Sequence, residues 1–326
     1  EINGVSRPEY FKKTKTYKKI KSLIDQYGRE QIAYATQSIF EQEGENFFRY
    51  LVKKYKQRNV TVAGGLFLNV KFNTRLLKKK IVDNLFVYPN PGDGGVAIGA
   101  AIALYKRLGF ERKIEEMRST ALGCEFDDKE ILKSIKSFDR KIKFIKLKNS
   151  LPKIVAKEIN QGTVLGWFQG RVEWGPRALG GRSVLADPRF LKTKDRINSK
   201  LKQRDWFMPF APAILEEHAK DILVHGFGTP FMTLTDDVKP LFSKKIPAAV
   251  HIDDTARSQI VSKKTNQLYW RVIYEFYKIT GIPVILNTSF NKHGLPVVHS
   301  PKEAIEHLLW GCVDKLVIGH YLVVRK

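Results

Sequence analysis

Between residues 29 and 57 apolar side chains return every three or four positions: Ile32, Ala35, Ile39 and Phe40, then Phe47, Phe48, Leu51, Val52 and Tyr55. That period predicts a long helix with one buried face, and Gly44 marks the place where it could break. "VTVAGG" (60–65) reads as a short buried strand entering a glycine turn, "LFLNVKFNTRLLKK" as a helix, and "LFVYPNPGDGG" (85–95) as a strand that ends in a Pro/Gly/Asp loop. "GVAIGAAIALYKRLG" then forms a helix of small residues closing at Gly109.

A polar stretch around 110–130 interrupts the pattern. Beyond it "KIKFIKL" (141–147) and "TVLGWFQG" (163–170) read as strands, with "LPKIVAKEINQG" as the helix between them. Later come a helix at "QLYWRVIYEFYKITG" (267–281) and a buried strand at "PVILNTSFN" (283–291). A helix with proline in its first turn follows at "PKEAIEHLLWG" (301–311), then final strands at "KLVIGHYLVV" (315–324). Alternating strands and helices predict an α/β fold in two domains that meet near residues 115 to 130, preceded by a basic connecting arm over 1–28.

A length of 326 residues suits about two domains, and 43% hydrophobic residues suits folded cores rather than disorder. No apolar run reaches the length needed to cross a bilayer, so no membrane partner is expected. Cys124 and Cys312 are the only cysteines and lack metal-type spacing, which fits a reducing cytoplasm. The earliest methionine is Met117, so residues are expected ahead of Glu1. The formal charge is +24, which attracts polyanions. Much of the lysine lies in stretches such as "RLLKKK" (75–80) and "KSIKSFDRKIKFIKLK" (133–148), where it alternates with apolar residues as on solvated faces. Nucleic-acid binding is therefore the lesser reading of this charge.

Chemistry is densest in "GRVEWGPRALGGRS" (170–183), which sets Arg171, Arg177 and Arg182 among four glycines and a proline. Guanidinium forks match carboxylate and phosphate oxygens, and glycines let backbone N–H groups approach an anion. The block reads as an anion clamp after a strand; the plainer alternative is ion pairing with nearby Glu173 and Asp187. "KLKQRDWFMPFAPAIL" (200–215) places Lys200, Lys202 and Arg204 before an aromatic corner, either for a phosphate or as a basic surface strand. "HIDDTARSQIV" (251–261) brings Asp253 and Asp254 near Arg257. "NTSFN" (287–291) follows an apolar strand, a usual place for ligand contacts, and Ser289 reads as a hydrogen-bond donor rather than a nucleophile. His293 and His299 are too irregularly spaced for a metal pair. The turns "AGGLFLN" (63–69) and "NPGDGGVAIGAA" (90–101) flank helix starts and suit phosphate or ribose, and Asp93 between glycines could approach a metal.

In this order the blocks "AGGLFLN", "NPGDGGVAIGAA", "FQGRVEWGPRALGGRSVLADPR", "MPFAPAIL", "HIDDTARSQIV" and "NTSFNKHGLPVVHSP" resemble the NodU/CmcH family of O-carbamoyltransferases over roughly residues 30 to 320. The resemblance implies the closing part of an actin-like lobe (acetate/sugar kinase–heat-shock–actin fold) over 29–115 and a YrdC-like α/β domain over 116–326. It implies that carbamoyl phosphate and ATP form carbamoyl adenylate in the second domain, with release of phosphate and pyrophosphate. The first domain then passes the carbamoyl group to a hydroxyl of a small acceptor, aided by a divalent metal, iron or magnesium. On these terms Arg177, Lys202, Arg257 and Ser289 fall on positions that grip carbamoyl phosphate and nucleotide, with Arg171, Arg182 and Asn287 as neighbouring substrate contacts. Gly64, Gly65, Asn69, Gly94 and Gly95 fall on nucleotide-side turns, and Asp93 on a metal-ligand position. The family's HxxxH-type metal site is expected outside this sequence, whose first histidine is His218. Asp254 stands where glycine is commoner in the family. A homodimer is compatible with this reading, whose alternatives are a tRNA-modifying carbamoyl-type transferase or a non-enzymatic nucleic-acid-binding protein.

Overall fold

The computed structural model describes residues 14–111, 117–203, 207–208 and 210–326. By internal contacts the chain separates into two units, residues up to Thr61 with Arg75–Phe86, and Val62–Thr74 with Val87–Lys326. This contact division does not run along the line near residue 115 drawn from the sequence. In the first unit α1 (Lys15–Tyr27) is capped by Thr14, whose hydroxyl accepts the N–H of Tyr17 at 3.1 Å. The expected arm is thus helical from Lys15, and its first thirteen residues lie outside the described ones. The following helix α2 (Arg29–Tyr55) runs unbroken through Gly44. It buries Phe48 along with Glu41 and Glu45, whose carboxylates are held by Arg75 and Lys79.

Next along the chain are β1 (Asn59–Val62), α3 (Val70–Lys78), β2 (Asn84–Val87), which pairs with β1, and α4 (Val96–Arg107). These match the expected elements closely. Helix α5 (Asp128–Lys136) was not expected. Its start is fixed by a reciprocal cap, in which Asp127 accepts the N–H of Glu130 and Glu130 accepts the N–H of Asp127, both at 2.8 Å.

The remainder is built on one mixed sheet. Its strands are β3 (Ile142–Lys146), β4 (Leu165–Phe168), β5 (Arg182–Ala186) and β6 (Ala211–Leu215), with β7 (Asp236–Asp237) and β8 (Thr255–Ala256) forming a separate short ribbon. After β9 (Gln259–Val261), β10 (Val284–Ser289), β11 (Lys315–Ile318) and β12 (Tyr321–Arg325), the sheet order is β3-β12-β11-β4-β5-β10-β6-β9. Only the β11–β4 and β6–β9 pairs are parallel. The expected α/β class holds, with a mixed sheet at its centre.

Both faces of the central strands are covered, so β4, β5 and β6 are buried along their whole length. One face packs Leu165, Trp167, Leu185 and Ile285 under α6 (Leu151–Asn160) and, beyond the short helices α7 (Leu191–Ile197), α8 (Ala219–Ile222) and α9 (Pro240–Lys245), under α10 (Gln267–Thr280). The opposite face packs Phe168, Val184, Leu286 and Phe290 against α5 and α11 (Pro301–Leu309). On β5, β11 and β12 adjacent residues therefore belong to different cores, whereas Ala213, Ile214 and Leu215 of β6 all join the first; on β5 this parity decides which side chains can meet at the site.

Gly166 lies in a central strand, and a Cβ there would stand 2.7 Å from the Phe290 ring and 3.1 Å from Leu316. Gly166→Ala should destabilise the chain by about 1–3 kcal/mol through overpacking. Urea unfolding checks this; unchanged stability would mean that Phe290 turns aside without cost.

Candidate functional site

The arginine-rich block is the loop between antiparallel neighbours β4 and β5. It folds around its own acid. The Glu173 carboxylate accepts the N–H groups of Leu179 at 2.8 Å, Gly181 at 2.5 Å and Arg182 at 3.1 and 3.2 Å. Three donors that a loop would otherwise leave unpaired thus converge on one charge. Gly180 adopts φ +104°, and a Cβ there would lie 2.6 Å from the Tyr269 ring. The Trp167 indole N–H ties the same residue down by donating to its carbonyl at 2.8 Å. Residues 120–124 run alongside, with Trp174 N–H donating to Thr120 O at 2.7 Å and Gly123 N–H to Val172 O at 3.0 Å. Asp187 is held by Arg189 at 2.6 Å. Neither acid therefore plays the part that simple ion pairing with the loop arginines assigned to it.

The three arginines go to three different places. Arg177 lines a small cavity of about 50 Å³ together with Arg257, Asn287 and Ser289. Arg171 is half exposed, 3.6 Å from Glu125, and lines a larger neighbouring cavity of about 260 Å³. Arg182 is wholly buried, stacked 3.6 Å from the centre of the Phe168 ring. Strand parity explains the last placement. Ser289 pairs with Ser183 and shares its face, whereas Arg182 pairs with Phe168 on the opposite face. Arg171 and Arg182 are thus absent from the cavity that holds Arg177, contrary to their expected grouping. Burial pulls the Arg182 guanidinium down to about 10, opposed by the charges of Glu173 and Glu125.

Lys202 reaches the cavity wall from behind. It closes a π-type turn, Asn198–Lys202, that continues α7, and it is 2% exposed, so it does not belong to a basic surface strand. Its ammonium donates to Ser289 Oγ at 2.8 Å, Asn291 Oδ1 at 2.6 Å and Asn291 O at 3.1 Å. Ser289 Oγ in turn donates to Asn291 Oδ1 at 2.6 Å. Ser289 Oγ thus sits between the Lys202 ammonium and the Asn291 side chain, and its hydrogen-bond partners among the described residues include neither an imidazole nor a carboxylate. Asn291 holds both groups in place, and the sequence reading missed it although it closes the same "NTSFN" run. Arg204 lies outside the described residues.

A pair of buried amides underlies the cavity. Asn287 Nδ2 donates to Ala178 O at 3.1 Å and to Gln259 Oε1 at 2.8 Å, and Gln259 Nε2 donates to Leu179 O at 2.7 Å. These bonds clamp the arginine loop to β9 and β10. Gln259 was not among the expected residues; its only signal was its place two positions after Arg257.

The loop before Arg257 carries its own network. Lys71 donates to Asp253 Oδ2 at 2.8 Å, and Asp253 Oδ1 accepts from the Thr255 hydroxyl at 2.7 Å. Burial raises the Asp253 carboxyl, but the hydrogen bonds from Lys71 and Thr255 together outweigh it and hold the group at about 2. His251 Nδ1 lies 3.0 Å from Thr255 Oγ1; burial lowers the imidazole to about 4, with Arg257 and Lys71 adding to the effect and Asp253 opposing it. Asp254 has φ +56°, the left-handed conformation that favours glycine; aspartate tolerates it better than most residues.

The nucleotide-side expectations fall on two joined turns. Gly64 N–H donates to Pro91 O at 2.5 Å. Asn69 is occupied in capping α3, accepting the N–H of Phe72 at 3.1 Å, while Gly65 and Gly94 are exposed and Gly95 is partly so. Asp93 is exposed beside them, and among the described residues it belongs to no group of three potential metal-binding side chains. The group that does meet that description is His225, Asp236 and Asp237. There Asp236 is fully buried and accepts N–H groups from His225, Phe227 and Asp237, so it already serves as a loop anchor.

Two family models match the chain, carbamoyltransferase N-terminus over residues 9–102 and carbamoyltransferase C-terminus over residues 156–325. Among curated proteins, the uncharacterized protein MJ1058 of Methanocaldococcus jannaschii is 35% identical over 305 residues, covering 93% of this chain and 50% of the relative. The nodulation protein NolNO of Sinorhizobium fredii is 38% identical over 273 residues, covering 82% of this chain and 40% of the relative. NolO of Bradyrhizobium diazoefficiens is 38% identical over 269 residues, covering 81% and 49%. The chain thus spans half the length of these relatives or less. Among solved structures, full-length HypF in its phosphate- and nucleotide-bound form is similar with a TM-score of 0.38 and 16% identity, over 54% of this chain and 22% of that one.

The depressed His251 makes stability depend on pH with a definite sign. The folded imidazole binds its proton only near pH 4, the unfolded one near 6.5, so the unfolded state takes up the proton first as pH falls. Stability should decline from pH 6.5 to pH 4, by at most about 3 kcal/mol, and His251→Gln should flatten that slope. Urea unfolding at pH 7, 5.5 and 4 checks it; the same slope in both chains would remove His251 as its source.

Proposed function

The chain belongs to the carbamoyltransferase family, and from that premise we propose that its larger unit activates a carbamoyl group at the cavity of Arg177, Lys202, Arg257 and Ser289. Carbamoyl phosphate, ATP and water would give carbamoyl adenylate, phosphate and pyrophosphate. Water cleaves the carbamoyl–phosphate bond, and a carbamate oxygen then displaces pyrophosphate from the α-phosphorus. A hydroxyl of a small acceptor takes the carbamoyl group in a second step, with AMP as the leaving group, in the lobe to which residues 29–115 would contribute. The two parts are read as actin-like and YrdC-like, and two free cysteines suit a reducing cytoplasm.

One observation carries this reading. Arg177, Arg257, Asn287 and Ser289 come from three distant stretches of the chain to one cavity, and Lys202 is bonded to Ser289 at its wall. Cations gathered where phosphoryl charge must be bound and redistributed are what this chemistry requires. The guanidinium groups of Arg177 and Arg257 orient phosphoryl oxygens, Lys202 adds a compact charge, and Ser289 is a polar contact beside it. The metal is a different matter. Asp93 alone does not make a site among the described residues.

Carbamoyl-phosphate-dependent exchange of pyrophosphate into ATP isolates the first step. The chain should support it, and Lys202→Ala or Arg257→Ala should reduce it by about 10²–10³-fold. Absence of exchange by the folded chain, or exchange indifferent to both substitutions, would overturn the assignment.

A further inference from the structure

Five described residues other than glycine have a left-handed backbone, and four of them, Lys56, Lys80, Gln203 and Asp254, are polar and exposed. The fifth is Met232, at φ +56° and 3% exposed. A bulky apolar residue is strained in that conformation, and a glycine would not be. The strain persists because neighbours hold the chain on both sides. Ahead of it, Ile260 N–H donates to Thr229 O at 3.0 Å. Behind it, Asn73 Nδ2 donates to Thr233 O at 3.0 Å. The Thr74 hydroxyl donates to Thr235 O at 2.9 Å and accepts the N–H of Thr235 at 2.8 Å. Asn73 and Thr74 are themselves buried on α3.

Together with Pro176 and Arg177, Met232 belongs to the walls of two spaces. One is the cavity of about 50 Å³ that Arg177, Arg257 and Ser289 also line. The other measures about 10 Å³ and is bordered by Phe67, Leu68, Val70, Pro89 and Pro91. That size is at the lower limit for a single water, and these five side chains offer it no hydrogen bond.

We infer that Met232 is the water-excluding wall of the activation cavity and protects carbamoyl adenylate from hydrolysis; this rests on the carbamoyl-activating reading above. Opening carbamoyl phosphate consumes one water, which enters with the substrates. A second water is harmful. Its oxygen would bond to the carbamoyl carbon and break the bond from that carbon to the bridging oxygen, which leaves with AMP. The carbamate so released falls apart to carbon dioxide and ammonia, and ATP is consumed without transfer. An apolar side chain beside Arg177 gives such a water no partner on that side, a service that an unstrained glycine could not perform. The backbone strain at Met232 is what it costs to place that side chain there.

Without an acceptor, carbamoyl-phosphate-dependent formation of AMP from ATP reports this leak, and pyrophosphate exchange into ATP reports activation. AMP formed per pyrophosphate exchanged should rise at least about fivefold in Met232→Ala. Met232→Gly, whose backbone is relaxed, should leak as much, and it takes the place of the alanine variant if that one does not fold. Met232→Leu conserves apolar volume and should keep the parent ratio. Val70→Ala widens only the smaller space and should keep it too. A merely structural lesion would lower both rates and leave their ratio alone. An unchanged ratio in either folded variant, alanine or glycine, would overturn the inference while the activation reading stands. A leak of the same size in Met232→Leu or Val70→Ala would overturn it equally. No exchange by the folded parent chain would remove the activation reading, and this inference with it.

Discussion

One carboxylate organises the candidate site. Glu173 gathers the N–H groups of Leu179, Gly181 and Arg182, and so turns a glycine-rich connection of the kind that usually wanders into a defined loop. Its effect is indirect. By pinning the far end of the loop it leaves residues 176–178 to line the cavity, and it neutralises backbone polarity without meeting a guanidinium there. The only acid in the block is thus spent on shape.

The second constraint is strand parity. Neighbouring residues on β5 face opposite cores, as do Ile285 and Leu286 on β10, so closeness in sequence is a poor guide to closeness at the site. Arg182 sits five residues from Arg177 and ends beneath Phe168; Lys202 is eighty-seven residues from Ser289 and touches it. The sheet converts a cluster in sequence into a dispersion in space, and does the reverse for residues far apart.

This is also why the sequence was legible in some places and opaque in others. Helices and strands with a strong period, such as α10 and β10, stand where the pattern put them, and the α/β class followed from their alternation. Helix α5 was hidden because its lysines obscure a face on which only Ile131 and Ile135 are buried. The helix runs through Gly44, the place where it could have broken, because one glycine costs a helix of α2's length little. At the site, Arg177, Arg257 and Ser289 could be singled out from residue type and flanking turns. The roles of Glu173, Gln259 and Asn291 could not, since they lie in the geometry of hydrogen bonds between segments that only the fold brings together.

The exposed edge of the sheet has a bearing on the chain's excess of base. β3 begins the strand order and has one side unpaired, and it shows Phe144 and Ile145 to solvent, the features of a strand inviting a second strand to join it. Lys143 and Lys146 flank that pair and are exposed as well. Two copies aligned at this edge would bring ammonium groups into register, and their mutual repulsion discourages such stacking. Part of the positive surplus thereby acts as a guard on an open border, a duty that calls for no polyanion and that concentrated salt would relax.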